Sequence, residues 1–172
     1  MTGHHIMFVR HGETVGNIEQ IAHGQSESPL NDRGIQQAQF TASKLTDWDT
    51  SYQRIYASPM SRAHDTGAAI ARHHDLEMTV VPELREIEIF RDIGERRPQE
   101  VLGDIILRGA QERFARDRQW DAYPLTERSH EFNDRVIAAV EGILACHPAQ
   151  TVVVACHGGV INAYLAWVLG LS

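Results

Sequence analysis

Two short apolar runs, one near each end of the chain, lead directly into a histidine followed by glycine. Ile6–Val9 leads into Arg10-His11-Gly12, and Thr151–Cys156 leads into His157-Gly158-Gly159. Near-continuous apolar runs of this kind are typical of parallel strands that are buried on both faces. Because ligand sites in open α/β sheets lie at the carboxyl edge of the strands, the pattern predicts that both histidines meet at one edge of a sheet.

Two further β-favouring runs, Ile55–Ala57 and Thr79–Val81, alternate with longer stretches that have helical spacing. This alternation predicts an α/β fold, a three-layer sandwich in which helices flank both faces of a mostly parallel central sheet. Asn31 is a good N-cap for a helix that runs to about Leu45. Ser58-Pro59 predicts the start of the next helix, with a capping hydroxyl and a proline at the first helical position.

The stretch from Ser129 to Cys146 predicts another helix, because its apolar residues recur at helical steps. These residues are Phe132, Val136, Ile137, Val140, Ile143 and Leu144. We interpret the stripe as a face that packs on the sheet and not as a cofactor-binding surface.

Length and charge limit the classes of protein to which this chain can belong. With 172 residues it is long enough for one compact domain and too short to favour two. Its net charge of −7 argues against binding to nucleic acid or to an acidic membrane, which both need a broad positive surface. The sequence lacks a membrane-spanning run and a secretory signal pattern, and only Cys146 and Cys156 are present. We therefore expect a cytoplasmic protein without a disulfide framework.

Arg10-His11-Gly12 is the first of five short segments that together resemble a known family. The others are Pro29-Leu30-Asn31, the run from Ser58-Pro59 through Arg62-Ala63 to Thr66, Leu84-Arg85-Glu86, and the distant His157-Gly158. The set resembles the histidine phosphatase superfamily, the phosphoglycerate mutase-like proteins. The resemblance implies a single domain over residues 1–172, in the phosphatase branch, with residues of about 83–128 as a cap over the pocket. A solvated, internally ion-paired surface is the alternative interpretation of that segment.

The resemblance also implies roles for individual residues. His11 would be the nucleophile that forms phosphohistidine, and histidine suits this step because its unperturbed pKa is about 6.5. A backbone carbonyl is expected to hold one ring nitrogen, so that the other faces phosphorus. Arg10, Arg62 and His157 would bind the phosphoryl oxygens, and His157 would contribute best while protonated. Asn17 would add a neutral donor at the edge of the pocket.

Glu86 would be the general acid that protonates the leaving alcohol and later deprotonates the attacking water. Glu83 and Glu88 lie close in sequence and remain alternatives. Two segments depart from the family pattern: Ile89-Phe90-Arg91-Asp92 replaces the usual glycine and tryptophan after the acid, and Thr126-Glu127-Arg128-Ser129 replaces the frequent Gly-Glu-Ser.

These observations favour a metal-independent phosphatase that acts on a small phosphorylated metabolite. A phosphoglycerate mutase and a catalytically weak module that binds phospho-ligands are the alternatives. We expect no cofactor and no metal, because the adjacent pairs His4-His5 and His73-His74 do not direct both rings to one point. The sequence leaves the physiological substrate open, and it leaves both a monomer and a homodimer open.

Overall fold

The four predicted strands form one sheet in which all pairs are parallel. The computed structural model describes residues 5–18, 27–47, 52–91, 93, 96–117 and 119–171. Within these residues the strands are β1 (His5–Arg10), β2 (Tyr52–Ala57), β3 (Met78–Val80) and β4 (Thr151–Cys156), in the order β1-β4-β2-β3. β4, the last strand in sequence, therefore lies between the first two, and β3 begins one residue earlier than the sequence predicts.

Helices connect the strands and follow the last of them. They are α1 (Val15–Ile18), α2 (Asp32–Leu45), α3 (Ser61–His74), α4 (Pro98–Asp117), α5 (Ser129–Cys146) and α6 (Gly158–Val168). Short 3-10 helices span Pro82–Leu84 and Trp120–Ala122. None of the helices in the described ranges is both long and apolar enough to cross a membrane.

Side chains on the two faces of the sheet contribute to two separate cores. Val152 and Val154 of β4 pack on the face that α5 and α6 cover, together with Phe132, Val136 and other apolar residues of α5. Val153, between them, packs on the opposite face against residues of α2 and α3. All six residues of β4 are buried, which explains its unbroken apolar sequence. The predicted three-layer sandwich and the core-facing stripe of α5 are both confirmed.

The two predicted helix starts have different outcomes. Asn31 is the N-cap of α2, and its side-chain oxygen accepts the N–H of Gly34 at 2.8 Å. α3 begins at Ser61 after Met60, whose side chain makes no capping hydrogen bond. The prediction that Ser58 caps this helix was wrong, because its hydroxyl lies before the helix and contacts a histidine described below.

The loop after β1 packs directly on the first turn of α2. A Cβ at Gly12 would lie 2.5 Å from the carbonyl oxygen of Gly34, so the close approach requires glycine. The N–H of Glu13 also donates to Oε1 of Gln37 at 2.8 Å. These contacts fix the position of Gly12 and Glu13 against the N-terminal part of α2.

The segment predicted to cap the pocket contains α4 and the two 3-10 helices. α4 is interrupted at Gly103, whose φ of 74° and ψ of 158° are not helical. Leu107 and Ala110 are buried, whereas Ile105 is 89% exposed. The rings of Phe114 and Tyr123 contact each other with centroids 5.6 Å apart and planes inclined by 49°, which joins α4 to the segment after it. Its function as a cap stays a prediction.

Candidate active site

His11 and His157 lie side by side at the carboxyl edge of the sheet. Arg10, the last residue of β1, is in register with Cys156, the last residue of β4, so the next residue of each strand is a histidine. The ring centroids are 5.2 Å apart and the ring planes are inclined by 61°. His157 is fully buried and His11 is half-buried. Parallel register thus brings together two residues that are far apart in sequence.

The ring of His11 is oriented by its own neighbour. Nδ1 lies 2.8 Å from the carbonyl oxygen of Gly12. Because a carbonyl can only accept a hydrogen bond, Nδ1 carries the proton and the lone pair is on Nε2. This is the arrangement that the sequence led us to expect.

Thr66 links the loop of His11 to the helix that carries Arg62. Its hydroxyl accepts the N–H of Gly12 at 3.3 Å and donates to the carbonyl oxygen of Arg62 at 2.8 Å. One side chain therefore couples the backbone beside His11 to the first turn of α3. The sequence contained Thr66 within a motif, but it carried no sign of this double contact.

Two guanidiniums, those of Arg62 and Arg10, lie near the histidine pair. Arg62 is 2% exposed. Burial lowers the pKa of Arg62, while the carboxylates of Glu86 and Glu27 raise it. Arginine stays protonated under such conditions because its intrinsic pKa is far above neutrality. Arg10 is exposed, and a Cβ at Gly158 would lie 3.8 Å from its Nε, which puts Arg10 beside the start of α6.

His157 is a neutral ring in this pocket. Burial lowers its pKa to about 2, and electrostatic interactions with Arg62, His11, Arg135 and Arg10 act in the same direction. The phosphoryl contact expected of His157 stays a prediction, and the lowered pKa favours a neutral ring. The physical reason is that a cation buried among other cations lacks both solvent and a counterion.

Ser58 contacts His157 through its hydroxyl, which lies 2.8 Å from Nε2. The same oxygen accepts the N–H of Met60 at 3.3 Å. Ser58 follows Ala57, which is in register with Ala155 on β4, so sheet pairing puts the hydroxyl beside the end of the neighbouring strand. The Ser-Pro pair thus contributes to the site and does not cap α3.

Of the three candidate acids, Glu86 is the one that contacts the turn carrying His157. Its Oε2 accepts the N–H of Gly159 at 3.1 Å, and its Oε1 accepts the N–H of Ile87 at 3.0 Å. A Cβ at position 159 would collide with this carboxylate. Glu88 instead forms an ion pair with Arg91 at 2.9 Å, and Glu83 is exposed. The N–H of Gly159 therefore faces the carboxylate of Glu86.

A buried ion pair between Glu127 and Arg135 supports the segment that carries Glu86. Glu127 is 2% exposed, and its two oxygens accept from Nε and Nη2 of Arg135 at 2.6 and 2.8 Å. Arg135 also donates to the carbonyl oxygens of Glu83, Arg85 and Glu86 at 2.6, 2.9 and 3.2 Å. Sequence reasoning missed this pair. Its only local sign is an arginine directly before the buried Val136 of α5.

Asn17, the remaining predicted site residue, falls within α1, but its side chain lies outside the described part of the structure.

A cavity of about 330 Å³ opens beside His11, toward α2 and α3. It is lined by Arg10, His11, Gly12, Gln37, Ala38, Thr41 and Thr66. Across the described ranges no three His, Cys, Asp or Glu side chains are grouped to hold a metal ion.

The geometry can be compared with known proteins. Residues 6–172 match the family model described as histidine phosphatase superfamily (branch 1). The chain belongs to this family. The match confirms the family expected from the sequence, and it covers nearly the whole chain.

Relatives with similar sequence identity to this chain are named for different activities. The uncharacterized phosphatase PhoE of Bacillus subtilis is 28% identical over 96% of this chain and 77% of its own length. A probable phosphoglycerate mutase, GpmB of Cronobacter sakazakii, is 28% identical over 96% of this chain and 75% of its own length. A mycobacterial glucosyl-3-phosphoglycerate phosphatase solved with VO3 superposes with a TM-score of 0.79 at 26% identity, covering 96% of this chain and 80% of the other. The phosphoglycerate mutase-like fold is thus confirmed, and the family supports a phosphoric monoester hydrolase.

Proposed function

We propose that this protein is a metal-independent phosphatase that hydrolyses a small phosphorylated metabolite through a phosphohistidine intermediate on His11. The observation that most supports this proposal is the position of the His11 ring. Its Nδ1 is held by the carbonyl of Gly12, its Nε2 carries the lone pair, and the His157 ring lies 5.2 Å away between centroids. Because the ring is held through Nδ1, the direction of Nε2 is fixed. A nucleophilic nitrogen held in this way beside two guanidiniums is suited to attack a phosphoryl group.

In the first step, Nε2 of His11 forms a bond to phosphorus while the bond from phosphorus to the leaving oxygen breaks. Negative charge on the three equatorial oxygens would be stabilised by Arg10 and Arg62, whose planar groups bind two oxygens at once. His157 would donate a further hydrogen bond, and Asn17 a neutral one. Glu86 in its carboxylic acid form would give its proton to the leaving alkoxide.

In the second step, the carboxylate of Glu86 accepts a proton from water as the water oxygen attacks phosphohistidine. The bond between Nε2 and phosphorus breaks, which returns His11 and releases inorganic phosphate. The acid of the first step therefore becomes the base of the second. The position of Glu86 against Gly159, next to His157, supports this assignment over Glu83 and Glu88.

The substrate we propose is a small metabolite and not a polymer or a membrane lipid. The net charge of −7 does not provide the broad positive surface that nucleic acid or an acidic membrane requires. One structural relative is named for dephosphorylating a small sugar-linked phosphoglycerate, which agrees with this class.

Turnover of p-nitrophenyl phosphate in the presence of EDTA tests the proposal. We expect the wild type to release p-nitrophenol, His11→Ala to lose activity, and wild type quenched in alkaline detergent to carry one phosphoryl group on His11 that later acid treatment removes. Activity that survives in His11→Ala, or that disappears with EDTA, would contradict the proposal.

The two alternatives predict other products from the same enzyme preparation. A mutase, the activity named for one relative of similar identity, would convert 3-phosphoglycerate to 2-phosphoglycerate faster than it releases inorganic phosphate. A module that only binds phospho-ligands would bind inorganic phosphate, and His11→Ala would weaken binding, yet the wild type would turn over none of a panel of phosphorylated metabolites.

A further inference from the structure

The hydroxyl of Ser58 is a buried group with few hydrogen-bonding choices. Ser58 is fully buried, and among the residues that the structure describes its Oγ has two partners, the N–H of Met60 and Nε2 of His157. The amide of Met60 can only donate, so at that contact Oγ accepts. Within the described part of the chain, the proton of the hydroxyl therefore has one acceptor in reach, the ring nitrogen of His157.

The lack of another acceptor for the hydroxyl determines which ring nitrogen of His157, Nδ1 or Nε2, carries the proton. If Nε2 were protonated, two hydrogens would compete for the 2.8 Å gap, and the buried hydroxyl would lose its acceptor. If Nε2 is unprotonated, the hydroxyl donates to it and the ring proton is on Nδ1. The N–H of Met60, the hydroxyl of Ser58 and Nε2 of His157 are then all paired, as most buried polar groups are.

Nδ1 of His157 is the ring nitrogen left to meet a ligand. It is buried, and within the described ranges it has no hydrogen-bond partner. The ring lies against that of His11 and within the electrostatic influence of Arg62 and Arg10. An unpaired N–H in such surroundings has a natural acceptor in the oxygen of a bound phosphoryl group.

We propose that Ser58 is a positioning residue that holds His157 as the neutral tautomer with its proton on Nδ1, so that the ring donates a hydrogen bond to a phosphoryl oxygen. This inference rests on the proposed function. Its consequence is that the pocket binds a phosphoryl oxygen with a neutral donor at this position, and the positive charge comes from Arg10 and Arg62. The lowered pKa of His157 agrees with a neutral ring, and the hydroxyl of Ser58 decides which of the two neutral forms is present.

Nitrogen NMR of the histidine rings tests the tautomer directly. In uniformly 15N-labelled wild type near pH 7 without added anion, we expect His157 to show a protonated Nδ1 and an unprotonated Nε2. The resonance can be assigned by its loss in His157→Gln. A ring of His157 protonated on Nε2, or on both nitrogens, would overturn the inference.

Kinetics with a matched set of variants tests the consequence. Ser58→Ala should lower kcat for p-nitrophenyl phosphate by about tenfold to a hundredfold, the range seen when a group that orients a functional histidine is removed. Ser58→Thr, which restores the hydroxyl, should recover most of the loss. Ser43→Ala is the control, since Ser43 on α2 is exposed and its hydroxyl donates to the carbonyl of Phe40. Circular dichroism should show that each variant is folded.

Failure of this inference and failure of the proposed function give different results. A wild type with the expected tautomer but without turnover would contradict the phosphatase proposal, and with it the role of Ser58 in that reaction. A wild type that turns over through His11 but has the other tautomer, or a folded Ser58→Ala with unchanged kcat, would overturn the inference and leave the phosphatase proposal in place.

Discussion

The histidine pocket and the segment that carries Glu86 are held in place by different kinds of interaction. In the pocket, His11 and His157 each follow a strand directly, so the hydrogen-bonded register of β1 and β4 sets their separation. Glu86 instead lies in a connection outside the strands and helices, where Arg135 holds the backbone through three carbonyl oxygens. His11, the proposed nucleophile, is therefore placed by the register of two strands, whereas the backbone of Glu86, the proposed acid, is held by the side chain of Arg135.

This difference implies that single substitutions can separate the two regions. A substitution that breaks the ion pair of Glu127 and Arg135 should displace Glu86, the proposed acid, while the pocket still binds phosphate. Damage to a guanidinium of the pocket should impair catalysis while the fold remains stable. The four predictions below test that separation, from the largest expected effect to the smallest.

Replacing Arg135 should have the largest effect on stability. Arg135→Ala removes the two-pronged partner of the buried Glu127 carboxylate, which keeps the N–H of Glu88 at 3.2 Å and Arg85 at 3.9 Å, and it removes the donors to three carbonyl groups. We therefore expect the free energy of unfolding to fall by about 3–5 kcal/mol. Urea denaturation measures the change. In the fraction that remains folded, kcat should fall while the Kd for inorganic phosphate changes little.

Arg128→Ala is the matched control, because Arg128 precedes α5 and is exposed. If Arg135→Ala were no less stable than this control, the ion pair would not support the acid segment as we describe. If phosphate binding were lost together with kcat, the two regions would not be separable.

Replacing Arg62 should have the largest effect on catalysis within an intact fold. Arg62→Lys keeps the charge but loses the planar fork that binds two oxygens, so we expect kcat/KM to fall by about 10²–10³-fold. Steady-state turnover of p-nitrophenyl phosphate measures it. Arg72→Lys, an exposed position on the same helix, should stay close to wild type. A retained kcat/KM in Arg62→Lys would mean that charge alone suffices.

Replacing Gly159 tests the contact where the two regions meet. The new Cβ in Gly159→Ala would overlap the carboxylate of Glu86 and displace it, and a shift of about 1 Å can lower a rate by about 10²-fold. The loss should be large for an alkyl phosphate, whose leaving group needs a proton, and small for p-nitrophenyl phosphate. Gly142→Ala on α5, where a Cβ meets open space, is the control. Equal losses for both substrates would argue against Glu86 as the acid.

The smallest effect concerns the pH dependence of stability. Burial raises the pKa of Glu127, but hydrogen bonds and charge from Arg135 outweigh it, and the net pKa lies below its ordinary value of 4.5. A carboxyl with a lowered folded pKa contributes stability that is present above its unfolded pKa and is lost as the pH falls through the folded pKa. Denaturation of wild type and Glu127→Gln between pH 7 and pH 3 should therefore show a stability difference that shrinks on acidification. A constant difference would contradict the lowered pKa.

Much of the fold could be predicted because its determinants are local. The apolar runs that became β1, β2 and β4, the Asn31 cap and the stripe of α5 each depend on residues within one element. The motifs also indicated the family and grouped His11 with His157. The helix start at Ser58 was predicted wrongly. From the sequence, a hydroxyl just before a helix looks like an N-cap, and only the folded chain shows that the hydroxyl contacts His157 instead.

Sequence by itself determined which side chains emerge at the carboxyl edge of the sheet, because strand periodicity and the residues that follow each strand are properties of neighbouring positions. Only the tertiary structure decided how those side chains are protonated and held. Ser58 meets His157 across 99 positions, and Arg135 reaches the backbone around Glu86 from another helix. Burial and the charges around a ring arise only when distant segments pack, and they lower the pKa of His157. Glu86 is likewise held by groups from two helices, the side chain of Arg135 and the N–H of Gly159.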